Sequence, residues 1–194
     1  MAITYPLSLP THTGIRGIEL RAINAVAYSA SPFTFAGQTH AYSGQMWQAD
    51  VTLPPMKIAD AEQWLGFLIS LRGQYGTFLL GDPLRTAPRG TAVSVRVTGA
   101  TGSGSVSVTT GGSLLAGDYI QLGSGSDATL HKVLQDQSGP GTLEIWPALR
   151  KDRTDVLATI RDAKGLFRLS TNEQAWSINE ASIYGITFSA REAI

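Results

Sequence analysis

The chain has 194 residues, room for one large domain or two small ones. Fifteen Lys and Arg balance fifteen Asp and Glu, which argues against a nucleic-acid partner, because phosphate binding needs a surplus of basic residues. Cysteine is absent, which excludes disulfides, thiolate catalysis and Cys-based zinc sites. Charged residues make up 15%, well under the usual share of about 25%. The surface is therefore weakly polar over much of its area, which suits packing against neighbours and equally a compact monomer rich in Gly, Ser and Thr. The opening Met-Ala-Ile-Thr-Tyr-Pro has no basic region followed by an apolar run, so no secretory signal is expected. No stretch approaches the ~20 apolar residues of a membrane span. The expected location is the cytosol of synthesis, in soluble or assembled form.

From Ile15 to Leu53 the pattern is that of strands. Ile18, Leu20 and Ala22 alternate with Glu19 and Arg21, the period of a half-buried strand. Pro32-Phe33-Thr34-Phe35, Ala36-Gly37-Gln38 and Thr39-His40-Ala41-Tyr42 set aromatic and Thr residues around a Gly, which predicts a hairpin. Trp47, Ala49, Val51 and Leu53 alternate cleanly with polar residues until Pro54-Pro55 withdraws the ladder donors. A helix is predicted over 60–72. Asp60 is its cap, with Gln63 in capping-box position. Ala61, Trp64, Leu65, Leu68 and Leu71 form its apolar stripe. Arg72 falls in its last turn and Gly73 is its left-handed stop. Trp64 and Leu68 are expected in the core. Phe67 and Ile69 lie off the stripe, so the helix should be covered on more than one side. Thr77–Leu80 forms a short strand ended by Gly81-Asp82-Pro83.

Beyond Pro88-Arg89-Gly90 the composition shifts to Gly, Ser, Thr and Val. Val93, Val95 and Val97 alternate, as do Val106 and Val108. Tyr119, Gln121, Leu130, Lys132, Leu143 and Ile145 fall in further short strands between Gly-rich turns. This predicts a small barrel or sandwich. After Gly165 longer strands return, with Phe167, Leu169 and Thr171 in one and Tyr184, Ile186, Phe188 and Ala190 in another. The expected fold is mainly β, with a minor α component. Residues 1–88 and 165–194 form a β-sandwich domain carrying the helix, and 89–164 are a β module inserted between its strands.

No convergent set of titratable groups for catalysis is visible. His12, His40 and His131 have no partner at metal-ligand spacing, so each reads as a surface or hydrogen-bonding residue. Gly123-Ser124-Gly125-Ser126-Asp127 lacks the Lys and the following helix of a phosphate loop. It reads as a flexible turn, as does Gly102-Ser103-Gly104. No G-x-S-x-G elbow is present. Lys151, Asp152, Arg153 and Asp155 read as a surface charge cluster rather than paired catalytic carboxylates. Asp118 reads as a carboxylate bonded to turn amides rather than a calcium or acid–base residue. Trp47, Trp64, Trp146 and Trp176 are scattered, which fits core or interface packing better than sugar stacking. No catalytic, cofactor-binding or metal-binding residue is assigned.

Tyr42 to Gly90 runs through a Trp-bearing strand, Leu53-Pro54-Pro55, a helix with Trp64 and Phe67, Leu71-Arg72-Gly73, Gly76-Thr77-Phe78 and Gly81-Asp82-Pro83. This order resembles the distal tail proteins of long-tailed bacteriophages and gene transfer agents, and the related minor tail proteins. Leu115-Ala116-Gly117-Asp118-Tyr119-Ile120, Ile145-Trp146-Pro147 and Leu149-Arg150 are similar to their middle module. Gly165-Leu166-Phe167-Arg168-Leu169 is similar to their return to the first domain. The resemblance touches most of the chain through the order and spacing of its motifs. It implies a structural virion protein at the tail tip, made in the host cytoplasm. The implied role is a subunit of a hexameric ring joining the tail tube protein to the tail tip hub proteins, with no catalytic residues. Ring closure needs two different adhesive surfaces, which unpaired strands and an over-apolar helix can supply. The alternative reading is a tail-associated adhesin whose inserted module binds a host surface glycan.

Overall fold

The computed structural model describes residues 3–11 and 14–194. Among these, the elements in chain order are β1 (Gly17–Ala30), β2 (Gly37–Thr52), β3 (Met56–Lys57), α1 (Ile58–Ser70), β4 (Phe78–Leu80), β5 (Val95–Gly99), β6 (Ser105–Thr110), β7 (Ser113–Leu114), β8 (Tyr119–Leu122), β9 (Thr129–Val133), β10 (Gln137–Ser138), β11 (Gly141–Trp146), β12 (Arg153–Ala158), β13 (Gly165–Leu169), β14 (Trp176–Ile178) and β15 (Ile183–Glu192). A turn of 3-10 helix spans Gly125–Asp127. The chain is mainly β with one α-helix, as its patterning predicts.

Seven strands make the first sheet, in the order β1-β2-β15-β13-β4, with β3 and β14 pairing the first half of β15. Its pairings are antiparallel. One face is apolar because the alternating residues of each strand point to it. Trp47, Ala49 and Val51 of β2, the run Tyr184, Ile186, Phe188 and Ala190 of β15, and Phe167 and Leu169 of β13 are all buried there. Helix α1 covers this face with the stripe Ala61, Trp64, Leu65, Leu68 and Leu71, and Phe67 is buried too. Trp64, Phe67, Phe78 and Phe188 form a closed circuit of rings with centroids 5.6–6.2 Å apart. Mutual contacts of this kind add to area burial.

The helix begins two residues earlier than its capping signals predict. Met56 and Lys57 pair with Tyr184 and Ile183, so the chain is held extended up to Lys57 and turns helical at once. Asp60 thus sits in the first turn, where it complements the dipole, and is not the cap. At the other end Arg72 lies past the helix with φ 52° and Gly73 follows at φ 67°, so the left-handed stop takes two residues. Gly73 is required there for a second reason: a Cβ on it would lie 2.9 Å from Asn172 Cα. Phe67 gains its cover from Phe78, whereas Ile69 stays exposed.

The second sheet has six strands in the order β12-β5-β6-β11-β9-β8. Its ends meet through a bridge between Gln121 and Thr159, with N–H···O bonds of 2.8 and 2.9 Å in both directions, so the sheet is a nearly closed barrel. Val95, Val97, Val106, Val108, Ile120 and Ile145 are among the small branched residues that fill it. Val93, expected in the Val93–Val97 alternation, lies outside β5 and is exposed; the inward pattern starts at Val95. Thr171, expected in the same strand as Phe167, lies beyond the end of β13.

The chain enters and leaves the barrel along adjacent paths. Asp162 N–H donates to Thr86 O at 3.1 Å, and Gly81 lies so close to Ala163 that a Cβ would stand 2.1 Å from its carbonyl oxygen. Buried Asp118 ties the incoming segment down. Its carboxylate accepts the N–H groups of Arg89 (2.7 Å), Leu115 (2.9 Å) and Gly90 (3.3 Å).

Trp64 is 1% exposed at the centre of the aromatic circuit, and its indole N–H has no partner among the described residues. Replacing it with Ala should cost about 3–5 kcal/mol. Trp64→Phe should cost much less, because it keeps the ring packing and removes an unsatisfied donor. Urea denaturation of the two variants checks this ranking.

Candidate assembly surface

Strands β1 and β2 begin in the core and end in solvent. Their register runs from Gly17↔Thr52 to Ala30↔Gly37, with an irregularity between Asn24 and Val26 where β2 carries two more residues than β1. On the body side, Ile18↔Val51, Leu20↔Ala49 and Ala22↔Trp47 share the inner face. Past the irregularity, every residue from Ala25 to Gly44 except half-buried Ser31 is exposed, so the ribbon is solvated on both faces. Val26, Tyr28 and Ala30 share one face with Ala41, Thr39 and Gly37, while Ala27 and Ser29 share the other with His40 and Gln38.

The turn at the end of this arm is ordered. Ser31 accepts the N–H of Phe35 on its carbonyl (2.9 Å) and those of Phe33 and Thr34 on its hydroxyl (3.3 and 3.4 Å), and its own N–H donates to Ala36 O (2.9 Å). That network holds Phe35 at φ 57° and leaves Phe33 and Phe35 exposed by 91% and 83%. A left-handed non-glycine residue costs roughly 1–2 kcal/mol. The chain thus spends energy to present two benzyl rings to water.

Residues 22–49 contain no Asp, Glu, Lys or Arg. Soluble proteins usually guard exposed strand edges with charges, Pro or bulges. Here β15 pairs β2 only over 48–52, so among the described residues both edges of the arm are open. An isolated two-stranded ribbon is marginal in water. An uncharged ribbon with Val26, Tyr28, Phe33, Phe35 and Tyr42 exposed shares the low charge and the aromatic rings of an interface core. At its base, Ile23, Ala25, Gly44, Met46 and Ile194 line an apolar depression of about 250 Å³. A second exposed patch lies on α1, where Ile58, Ala59, Gly66 and Ile69 face solvent around the exposed Glu62. A Cβ on Gly66 would meet nothing within 4 Å, so no intrachain contact requires glycine there.

The arm is clamped where it leaves the body. Trp146 Nε1 donates to Asn24 Oδ1 at 2.7 Å, and Ala148 N–H donates to Gln45 Oε1 at 2.8 Å. Arg150 donates to the Gln45 carbonyl and pairs with Glu192 at 2.9 Å. The same Glu192 oxygen accepts the Trp47 N–H at 3.1 Å. Trp47 donates its indole N–H to Leu130 O (2.9 Å) and packs edge-on against Trp146, centroids 4.6 Å apart.

The residues singled out in the sequence do not converge. His12 lies outside the described residues. His40 stands on the arm beside Tyr42, centroids 4.6 Å apart. His131 is fully buried in the barrel, Nδ1 against Pro147 O (2.7 Å) and Nε2 against Thr129 Oγ1 (2.9 Å). Lys151–Asp155 is not one surface cluster: Lys151 and Asp152 precede β12, Arg153 is buried, and the register irregularity between Arg153 and Val156, with Asp155 at φ 50°, breaks the alternation that would put Arg153 and Asp155 on one face. Lys151 and buried Arg153 both pair with Asp127, at 2.7 and 2.5 Å. Asp152 accepts from the Thr101 N–H and hydroxyl, and Asp155 pairs with Arg96. The Gly123–Asp127 turn is therefore anchored through Asp127, with Gly123 and Gly125 at positive φ. Gly102, at φ 81°, donates its N–H to Leu149 O. Trp47 and Trp64 are buried, Trp146 is half-buried at the clamp and Trp176 is 40% exposed on β14, a strand the sequence pattern does not predict. Among the described residues no group of three or more His, Cys, Asp or Glu could hold a metal ion. Among the same residues no helix is long and apolar enough to cross a membrane.

The arm's exposure on both faces escapes periodicity, which finds strands but not solvated ones. The gap in charge from 22 to 49 is the signal that reveals it. No protein-family model and no curated protein matches the chain.

Burial, aided by the nearby Arg150 and Arg153 charges and opposed by the Pro147 hydrogen bond, pushes the His131 pKa from 6.5 down to about 4. The unfolded chain takes up a proton near 6.5 while the folded one resists until about 4. Stability should therefore fall by about 3 kcal/mol as pH drops through that window, then level off. His131→Gln should flatten this slope. Asp127, whose carboxyl is lowered by hydrogen bonds from Arg153 and Lys151, contributes its own loss only at still lower pH. Urea titrations of both proteins from pH 7 to pH 4 check the assignment.

Proposed function

We propose that the chain is a structural, non-catalytic virion protein. In this reading it is a subunit of a hexameric distal tail ring that joins tail tube to tip hub, made in the host cytoplasm and resident at the tail tip. The observation that carries the reading is the uncharged arm, exposed on both faces and along both edges. Residues 22–45 alone approach the roughly 20–30 residues per side that a stable interface uses. The equal numbers of acidic and basic residues mean that copies do not repel one another at long range. A ring needs a donor surface and a different receiving surface on every copy, and the α1 patch around Gly66 provides a second surface. The resemblance in motif order supplies the setting, a phage tail, and the partners, the tube and hub proteins.

The adhesin reading draws less support. Sugar binding favours exposed aromatic platforms. The large hydrophobic residues exposed on the barrel are Val93, Leu134 and Leu157, none of them aromatic.

Native mass measurement and imaging of the purified protein should show a discrete closed ring of six copies; a monomer at high concentration would refute the reading. Phe33→Ser with Phe35→Ser should leave the fold intact, since both rings are in solvent. If each ring acts as an interface anchor worth about 2 kcal/mol, the pair should weaken self-association by about a thousandfold.

A further inference from the structure

We infer that the barrel segment Trp146–Arg150 is a brace that sets the direction of the β1–β2 arm, so that the inserted module acts as a positioning element for the arm. The place of contact supports this. The inner-face pairs of the hairpin are apolar up to Ala22↔Trp47, and the next pair is Asn24↔Gln45, two amides. Each spends its side-chain oxygen on the barrel, one on the Trp146 indole and one on the Ala148 N–H. This pair is the last in register before the irregularity, beyond which no residue of the arm is buried. The clamp therefore grips the arm at its pivot.

The grip reaches three parts of the fold at once. Arg150 holds the Gln45 carbonyl on β2 and Glu192 on β15, and Glu192 in turn holds the Trp47 N–H. Trp146 lies edge-on against Trp47 one turn of the pleat away. Rotation of the ribbon about its base breaks bonds to the barrel and to the central strand together. The lever is long: from Asn24 to Ala30 the strand spans about 20 Å at strand rise, with the turn beyond it. A swing of about 10° at the base would displace the tip by about 3.5 Å on that length, close to one contact shell. A surface presented on such an arm has a defined position only if the base is fixed.

Arm orientation can be read on the single chain, which separates this inference from the ring reading on which its consequence for assembly rests. The chain has no cysteine, so spin labels at Thr34→Cys on the tip and Ser107→Cys on the outside of the barrel report one distance. Measured by pulsed electron resonance in the Phe33→Ser/Phe35→Ser background, the distance distribution should be narrow. Adding Asn24→Ala and Gln45→Ala should at least double its width while hydrogen exchange in β5, β6 and β11 is unchanged. Asn24→Asp with Gln45→Glu, which keeps both acceptor oxygens, should restore the narrow distribution. A distribution already broad before the Ala substitutions, or one left narrow by them, overturns the brace. Native mass of the same variants with Phe33 and Phe35 restored reads the ring independently. Intact rings with no broadening refute the brace alone, and a monomeric parent with clear broadening refutes the ring alone.

Discussion

The indole of Trp47 is the most deeply buried of the links that join the barrel to the first sheet. It is 3% exposed, its N–H is bonded to the barrel strand β9, and its ring lies against Tyr119 and Trp146 of the barrel. The strand that carries it continues inward to Ala49 and Val51 in the sheet core and outward into the arm. An aromatic side chain with one polar atom suits this position, since it offers a large apolar area to both modules and a directional bond to one. The first sheet's core accordingly extends past the sheet itself and includes Tyr119 and Leu130 from the barrel.

Charge is distributed with the same logic. Lys151, Arg153 and Asp127 join two segments of the barrel, and Arg150 and Glu192 join the barrel to the central strand. Glu192 and Arg153 are buried; Glu192 also accepts the Trp47 N–H, and Arg153 adds a bond to the backbone carbonyl of Asp127, while the buried Arg150 Nε has no partner among the described residues. A buried pair is weak evidence for stability but fixes geometry well when its remaining bonding capacity is used. The arm, by contrast, carries no formal charge. Ion pairs therefore hold the body to itself, while the arm presents a surface whose desolvation on contact is cheap.

Much of this was legible in the sequence. The alternation of Trp47–Leu53 and of Tyr184–Ala190 identifies the two central strands, because a half-buried strand has to show period two. The stripe through Trp64 and Leu68 identifies the helix, and the Gly, Ser, Thr and Val composition after Arg89 identifies a region of short strands. The misses have physical causes. Pairing of β3 with β15, a contact some 127 residues distant in sequence, moved the helix start from Asp60 to Ile58. β12 was hidden because its charged residues find partners on Thr98, Arg96 and Asp127, so a run of charges forms a strand. The Asn24–Gln45 clamp was beyond reach, since its partners come from residues 146–150 and no local pattern encodes them.

A long uncharged ribbon is a hazard as well as a tool. Open edges of this composition promote indefinite strand-to-strand association, and a head-to-tail contact whose rotation does not close gives a filament. What separates a closed ring from either outcome is the angle at which each copy presents its adhesive surface to the next. In the proposed ring that angle is a property of the arm's base, and the base is held by amide, indole and guanidinium bonds, which are directional, rather than by apolar burial, which is not. The switch from Ala22↔Trp47 to Asn24↔Gln45 along one face of the hairpin marks the place where nonspecific cohesion gives way to geometry. In the proposed reading, a fold that carries its adhesive arm on β1 and β2 and the segment that braces it some hundred residues later can vary either without rebuilding the sheet that carries both.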